Sequence, residues 1–162
     1  MVASEMTGIF NGHSAVGDVC IFMTYGILHT NQRRPSLKKI VLVDDDPDIQ
    51  ESIKMVLENA GFEFKGAMNS ESGMALIGKE NPDLVILDVM MEQPDDGFFM
   101  AQDLRARGVN IPIIMLTSVS SVTGMKYARD NEMVKVDEFI EKPIAPSLLL
   151  GKIKTLLERG RK

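Results

Sequence analysis

The chain has 162 residues, a formal net charge of −5, and is 44% hydrophobic and 25% charged. That length allows one domain with a remainder, the composition is that of an ordinary globular protein, and the acidic balance argues against a broad nucleic-acid-binding face. Cys20 is the only cysteine, which excludes an intramolecular disulfide and a cysteine-based zinc site, and His13 and His29 stand apart from any ligand pair. A reducing, cytoplasmic setting is expected.

Residues 1–36 form a region of their own, with few charges and no clear period, ending in the linker-like Asn31-Gln32-Arg33-Arg34-Pro35-Ser36. They read as an N-terminal arm or leader; a docking segment using Val19 to Leu28 is the alternative. The most apolar stretch, Val16 to Leu28, contains Asp18 and falls short of the roughly 18 apolar residues of a membrane span. Glu5 stands where a secretory signal needs basic residues, so neither membrane insertion nor secretion is expected.

From Leu37, assigned with the rest of 37–160 to one domain, apolar runs alternate with amphipathic segments. Ile40 to Val43 is a β-branched run suited to a strand buried on both faces. Asp46-Pro47-Asp48 signals a helix start, and the helix continues through Ile49, Ile53, Val56 and Leu57 to Asn59-Ala60-Gly61. Phe62 to Ala67 reads as an edge strand. Asn69-Ser70-Glu71 caps a second helix bearing Met74, Ala75, Leu76 and Ile77, and Leu84 to Leu87 is a third strand after Pro82-Asp83. A helix over Gly97 to Arg107, a strand over Ile111 to Leu116, a short helix over Val122 to Asn131, a strand over Glu138 to Glu141 and a helix over Pro146 to Arg159 complete the series. Such alternation predicts an α/β fold: a parallel sheet with helices on both faces.

Working sites in these sheets lie at the carboxyl ends of the strands. Four strand ends carry polar residues there: Asp44-Asp45, Asp88, Thr117-Ser118 and Lys142. Clustered carboxylates repel unless a cation sits among them or one stays protonated. Hard oxygen ligands suit Mg²⁺, so Asp44 and Asp45 are candidate metal ligands. Asp88 can share the metal and act as a nucleophile toward phosphorus, while Lys142 and the Thr117 hydroxyl stabilise phosphoryl oxygens.

The segments Val43-Asp44-Asp45-Asp46-Pro47, Pro82 to Met91, Ile113-Ile114-Met115-Leu116-Thr117-Ser118 and Phe139-Ile140-Glu141-Lys142-Pro143 together resemble the receiver domain of two-component response regulators, over residues 37–158. The resemblance implies a flavodoxin-like, doubly wound five-stranded sheet of order 2-1-3-4-5. It implies that Asp88 accepts phosphate from a histidine kinase or a histidine phosphotransfer protein. Asp45, Asp88 and the main-chain carbonyl of Met90 would ligate Mg²⁺, with Asp44 acting directly or through water. Thr117 and Phe139 match the paired switch positions, although Phe139 can also be read as a core residue. Lys142-Pro143 matches a bond that is usually cis in the family.

Departures from the family pattern bear on function. The stretch between Asp88 and Gly97 is one residue longer than usual, with the extra residue placed after Met91, and it adds Glu92, Asp95 and Asp96 beside the site. The stretch from Thr117 to Lys142 is also long, and Met133 to Asp137 departs from the usual approach to the last strand. Met90 and Val119, two residues after Asp88 and Thr117, are apolar and cannot orient an attacking water, so a long-lived phosphorylated form is expected. Few residues follow the last helix, so the expectation is a stand-alone switch acting through a downstream protein or a phosphorelay, without nucleic acid. Two alternatives are a pseudo-receiver that never takes phosphate and an aspartate-nucleophile phosphatase.

Overall fold

The structure, a computed structural model, describes residues 37–118 and 136–159. Among these lie five strands and four helices, in the order β1 (Lys39–Val43), α1 (Pro47–Asn59), β2 (Glu63–Ala67), α2 (Ser70–Glu80), β3 (Leu84–Asp88), α3 (Asp96–Ala106), β4 (Ile113–Thr117), β5 (Glu138–Glu141) and α4 (Pro146–Arg159). The expected helix over Val122 to Asn131 and the arm over residues 1–36 lie outside the described residues. All pairings are parallel, in the order β2-β1-β3-β4-β5. This is the expected 2-1-3-4-5 sheet, with β2 at one edge.

Side chains of the central strands alternate between two cores, as the pleat requires. Ile40, Leu42, Leu84, Ile86, Ile114 and Leu116 pack with Ile53 and Leu57 of α1 and Leu149, Ile153 and Leu156 of α4. Val41, Val43, Val85, Leu87, Ile113 and Met115 pack with Ile77 of α2 and Met100, Ala101 and Leu104 of α3. Burial on both faces is why these strands are almost uniformly apolar.

Local signals set the helix ends. The Asp46 side chain accepts from the Asp48 and Ile49 amides, and Pro47 opens α1 without an amide to satisfy. Gly61 then reverses the chain at φ 81°, where a Cβ would be strained, and the Phe62 amide bonds to Leu57 O. That bond keeps Phe62 out of β2, which starts one residue later than its apolar run. Asn69 caps α2 by accepting from the Ser72 amide at 2.9 Å, and Asn81 ends it in the left-handed region.

β4 begins at Ile113, two residues later than the sequence pattern. Pro112 has no amide to donate, and the Ile113 amide is taken by the Asp137 carboxylate at 2.9 Å. Arg105 fastens the same corner, donating to Val109 O, Ile111 O and Asp137. At the start of β1, Asp83 accepts from Lys38 Nζ and from the Lys39 amide.

These two bonds outweigh the cost of partial burial and hold the Asp83 carboxyl below the usual aspartate range. A depressed carboxyl pKa contributes stability above its unfolded value, and that contribution fades as pH falls through the folded one. Asp83→Ala should therefore lower unfolding free energy by about 1 kcal/mol near neutral pH. In urea titrations the gap should narrow once pH drops below the ordinary aspartate pKa of about 3.9.

Candidate functional site

Parallel register brings the strand ends together. Val43 pairs with Leu87, so Asp44 and Asp88 emerge side by side, and Asp88 pairs with Leu116, just before Thr117. Thr117 pairs with Glu141, and the Lys142 amide donates to Thr117 O at 2.7 Å. Residues 98 positions apart in sequence thereby meet. Lys142 Nζ lies 2.9 Å from Asp44 Oδ2 and 2.9 Å from Asp88 Oδ2.

Asp44 is fully buried, Asp88 nearly so, and Asp45 is exposed. One carboxylate oxygen from each of the three lies within 4.8 Å of the others. Burial pushes the Asp88 carboxyl above the usual aspartate range; the negative charge of Asp44 adds to this, and the Lys142 hydrogen bond opposes it. For Lys142, burial works against the charged form, but the bonds to Asp44 and Asp88 outweigh it and raise the ammonium above the ordinary lysine range. The cluster is a buried pair of like charges held by one lysine. A donor set made only of carboxylate oxygens fits a hard divalent cation such as Mg²⁺, not a soft metal.

Neighbouring groups fix these side chains. Asp44 Oδ1 accepts from the Asp46 amide at 2.9 Å, and Asp88 Oδ1 accepts from the Met90 amide at 3.3 Å. The buried Thr117 hydroxyl donates to Ser118 O at 3.3 Å. Lys142-Pro143 is cis. Phe139 is half-buried, its ring 6.3 Å from that of Phe98 at an interplanar angle of 45°.

Two supporting residues escape sequence reasoning. Gln50 on α1 donates to Asp44 O and Ala67 O, tying the helix to the ends of β1 and β2. Gly97 packs so closely under β3 that a Cβ there would overlap Asp88 O. Its amide donates to Val89 O at 3.2 Å. A lone glycine at the start of an apolar helix signals a cap at most, so this close approach appears only in three dimensions. Between Met91 and Gly97 the chain makes an irregular turn, with Asp95 at φ 67° and the Gln93 amide bonded to Asp96 Oδ2.

Fold and site together define a doubly wound α/β protein with an acid–lysine cluster at the carboxyl edge of its sheet. The chain belongs to the response regulator receiver domain family, whose model matches residues 40–154. It is 35% identical over 129 residues to the probable transcriptional regulator ycf27 of Porphyra purpurea, covering 77% of this chain and 49% of that protein. Its identity to the DNA-binding dual master transcriptional regulator RpaA of Synechocystis is 32% over 125 residues, covering 76% of this chain and 50% of that one. Among solved structures, a CheY-like receiver domain protein from Methanospirillum hungatei superposes with TM-score 0.68 at 31% identity, covering 76% of this chain and 96% of that one. The chain thus spans about half the length of the curated relatives it matches. No helix among the described residues is long and apolar enough to cross a membrane.

Removing Lys142 would leave Asp44 buried with its charge uncompensated. Lys142→Ala should cost about 3 kcal/mol of stability, read as a lower denaturation midpoint in urea.

Proposed function

We propose that this receiver domain is a Mg²⁺-dependent phosphoacceptor switch, with Asp88 the acceptor of phosphate from a histidine kinase or histidine phosphotransfer protein. The observation that carries this reading is the Lys142 ammonium bridging Asp44 and Asp88 at 2.9 Å each. A carboxylate there can approach phosphorus while a fixed cation meets the phosphoryl oxygens. Asp88 Oδ forms the new bond to phosphorus, the bond from phosphorus to the donor's histidine nitrogen breaks, and that nitrogen keeps the electron pair. Asp45 and Asp88, with the main-chain carbonyl of Met90 and with Asp44 directly or through water, would hold Mg²⁺. Bound there, the ion supplies further neutralisation of phosphoryl charge.

Thr117 lies on the adjacent strand end, and its hydroxyl would turn from Ser118 O to a phosphoryl oxygen. The half-buried Phe139 would follow, carrying the change to the β5 side of the domain. A phosphatase reading finds less support. It requires a free acid–base aspartate after β1, and Asp46 is engaged in capping α1. A kinase partner would place the chain in the cytoplasm.

Output is read as contact with a downstream protein or transfer of the phosphate onward. The few residues after α4 do not support a stand-alone switch, because the curated relatives are about twice as long as the matched region. Those relatives are named as transcriptional regulators, one of them DNA-binding, so an output through DNA belongs among the outcomes to be tested.

Incubation with acetyl phosphate and Mg²⁺ should add one phosphoryl group, seen by intact mass, that is absent without the metal and absent in Asp88→Asn. An unlabelled wild type, under conditions that label another receiver, would favour the pseudo-receiver. Met90→Asn combined with Val119→Glu should release phosphate faster than wild type, because polar groups can then orient water; Val119 lies outside the described residues. Equal or slower release in the double variant would defeat the expectation of a long-lived phosphoform.

A further inference from the structure

The Met90 side chain sits beside the acceptor, and its chemistry is unlike that of the carboxylates around it. Its amide bonds to Asp88 Oδ1, and its sulfur lies 3.9 Å from Ser118 Oγ, the residue following Thr117. The thioether thus spans the ends of β3 and β4, at the mouth of the acid–lysine cluster. It is 45% exposed, whereas Met115 in the core beneath is fully buried. An exposed thioether is open to two-electron oxidation; a buried one is protected.

We propose that Met90 is a modification site at which a peroxide-class oxidant sets the lifetime of phosphate on Asp88. The sulfur attacks one peroxide oxygen, the O–O bond breaks, and the second oxygen leaves as water, taking up the proton that the sulfur-bound oxygen gives up through solvent. Sulfur is oxidised by two electrons to the sulfoxide, and the peroxide is reduced. A weak acceptor becomes a strong one without any change in chain length or charge. The new S–O oxygen, next to Asp88, can accept a hydrogen bond from water and hold it near the phosphorus of an acyl phosphate, which the thioether cannot. Oxidation would therefore shorten the phosphorylated state. Sulfoxide reduction by a methionine sulfoxide reductase would restore it, so the site would report oxidant level through signal duration.

The inference rests on the phosphoacceptor reading, and the experiment separates the two. The full chain is treated with dilute hydrogen peroxide, mapped by peptide mass, phosphorylated with acetyl phosphate and Mg²⁺, freed of donor, and followed by intact mass. Met90 should be oxidised ahead of Met115, and the oxidised chain should lose phosphate about twofold to tenfold faster, the range one added hydrogen bond provides. Reductase treatment should reverse the change. Met55 and Met68 are also exposed and will oxidise, so Met90→Leu supplies the control. In that variant, phosphate loss should be the same before and after peroxide. Unchanged lifetime with Met90 oxidised, or equal acceleration in Met90→Leu, overturns the proposal while the phosphoacceptor reading stands. Failure of the untreated chain to take phosphate overturns both.

Discussion

One lysine holds the functional edge of this domain together. Asp44 and Asp88 leave adjacent parallel strands at the same level, and no arrangement of those strands that keeps their register separates the two carboxylates. Their repulsion in a poorly solvated setting is severe, and Lys142 is the cation that the fold itself supplies. Everything that carries Lys142 to that point, from the β4–β5 pairing to the bond between its amide and Thr117 O, is therefore part of the site. The lysine settles the pair without exhausting its negative charge. Such an edge retains affinity for further positive charge.

The scaffold restrains the carboxylates from both faces of the sheet. On one face Gln50 of α1 clamps the main chain at Asp44; on the other, the first turn of α3 rests against the carbonyl of Asp88 at Gly97. Neither residue offers charge or nucleophilicity. Both limit how far β1 and β3 can shift, and so hold the two carboxylates in place.

Much of this was legible in the sequence because the informative contrasts are local. Ile40-Val41-Leu42-Val43 and Leu84-Val85-Ile86-Leu87 each break off in aspartate, and that step from apolar to charged marks both the strand and its functional end. Asp46-Pro47 and Asn69-Ser70 announce helix starts within three residues of the groups they cap. What stayed hidden depends on residues far apart in sequence. Nothing near Asp137 says that its carboxylate takes the Ile113 amide across 24 positions, or that Arg105 joins it. Boundaries moved for the same reason: β4 starts late because Pro112 donates nothing and Asp137 intervenes, and β2 starts late because Phe62 is claimed by the end of α1.

The tight seat of Gly97 has a consequence for how this protein can vary. With Val89 bonded to Leu116 O and Gly97 bonded to Val89 O, the connecting turn is anchored at both ends and can change length only in between. The left-handed Asp95 and the exposed Glu92 belong to that interval. Insertions and charge changes after Met91 leave the carboxylate–lysine geometry alone while altering the electric field at its rim. The chain thus separates the geometry of its carboxylate–lysine cluster from the charge that surrounds it.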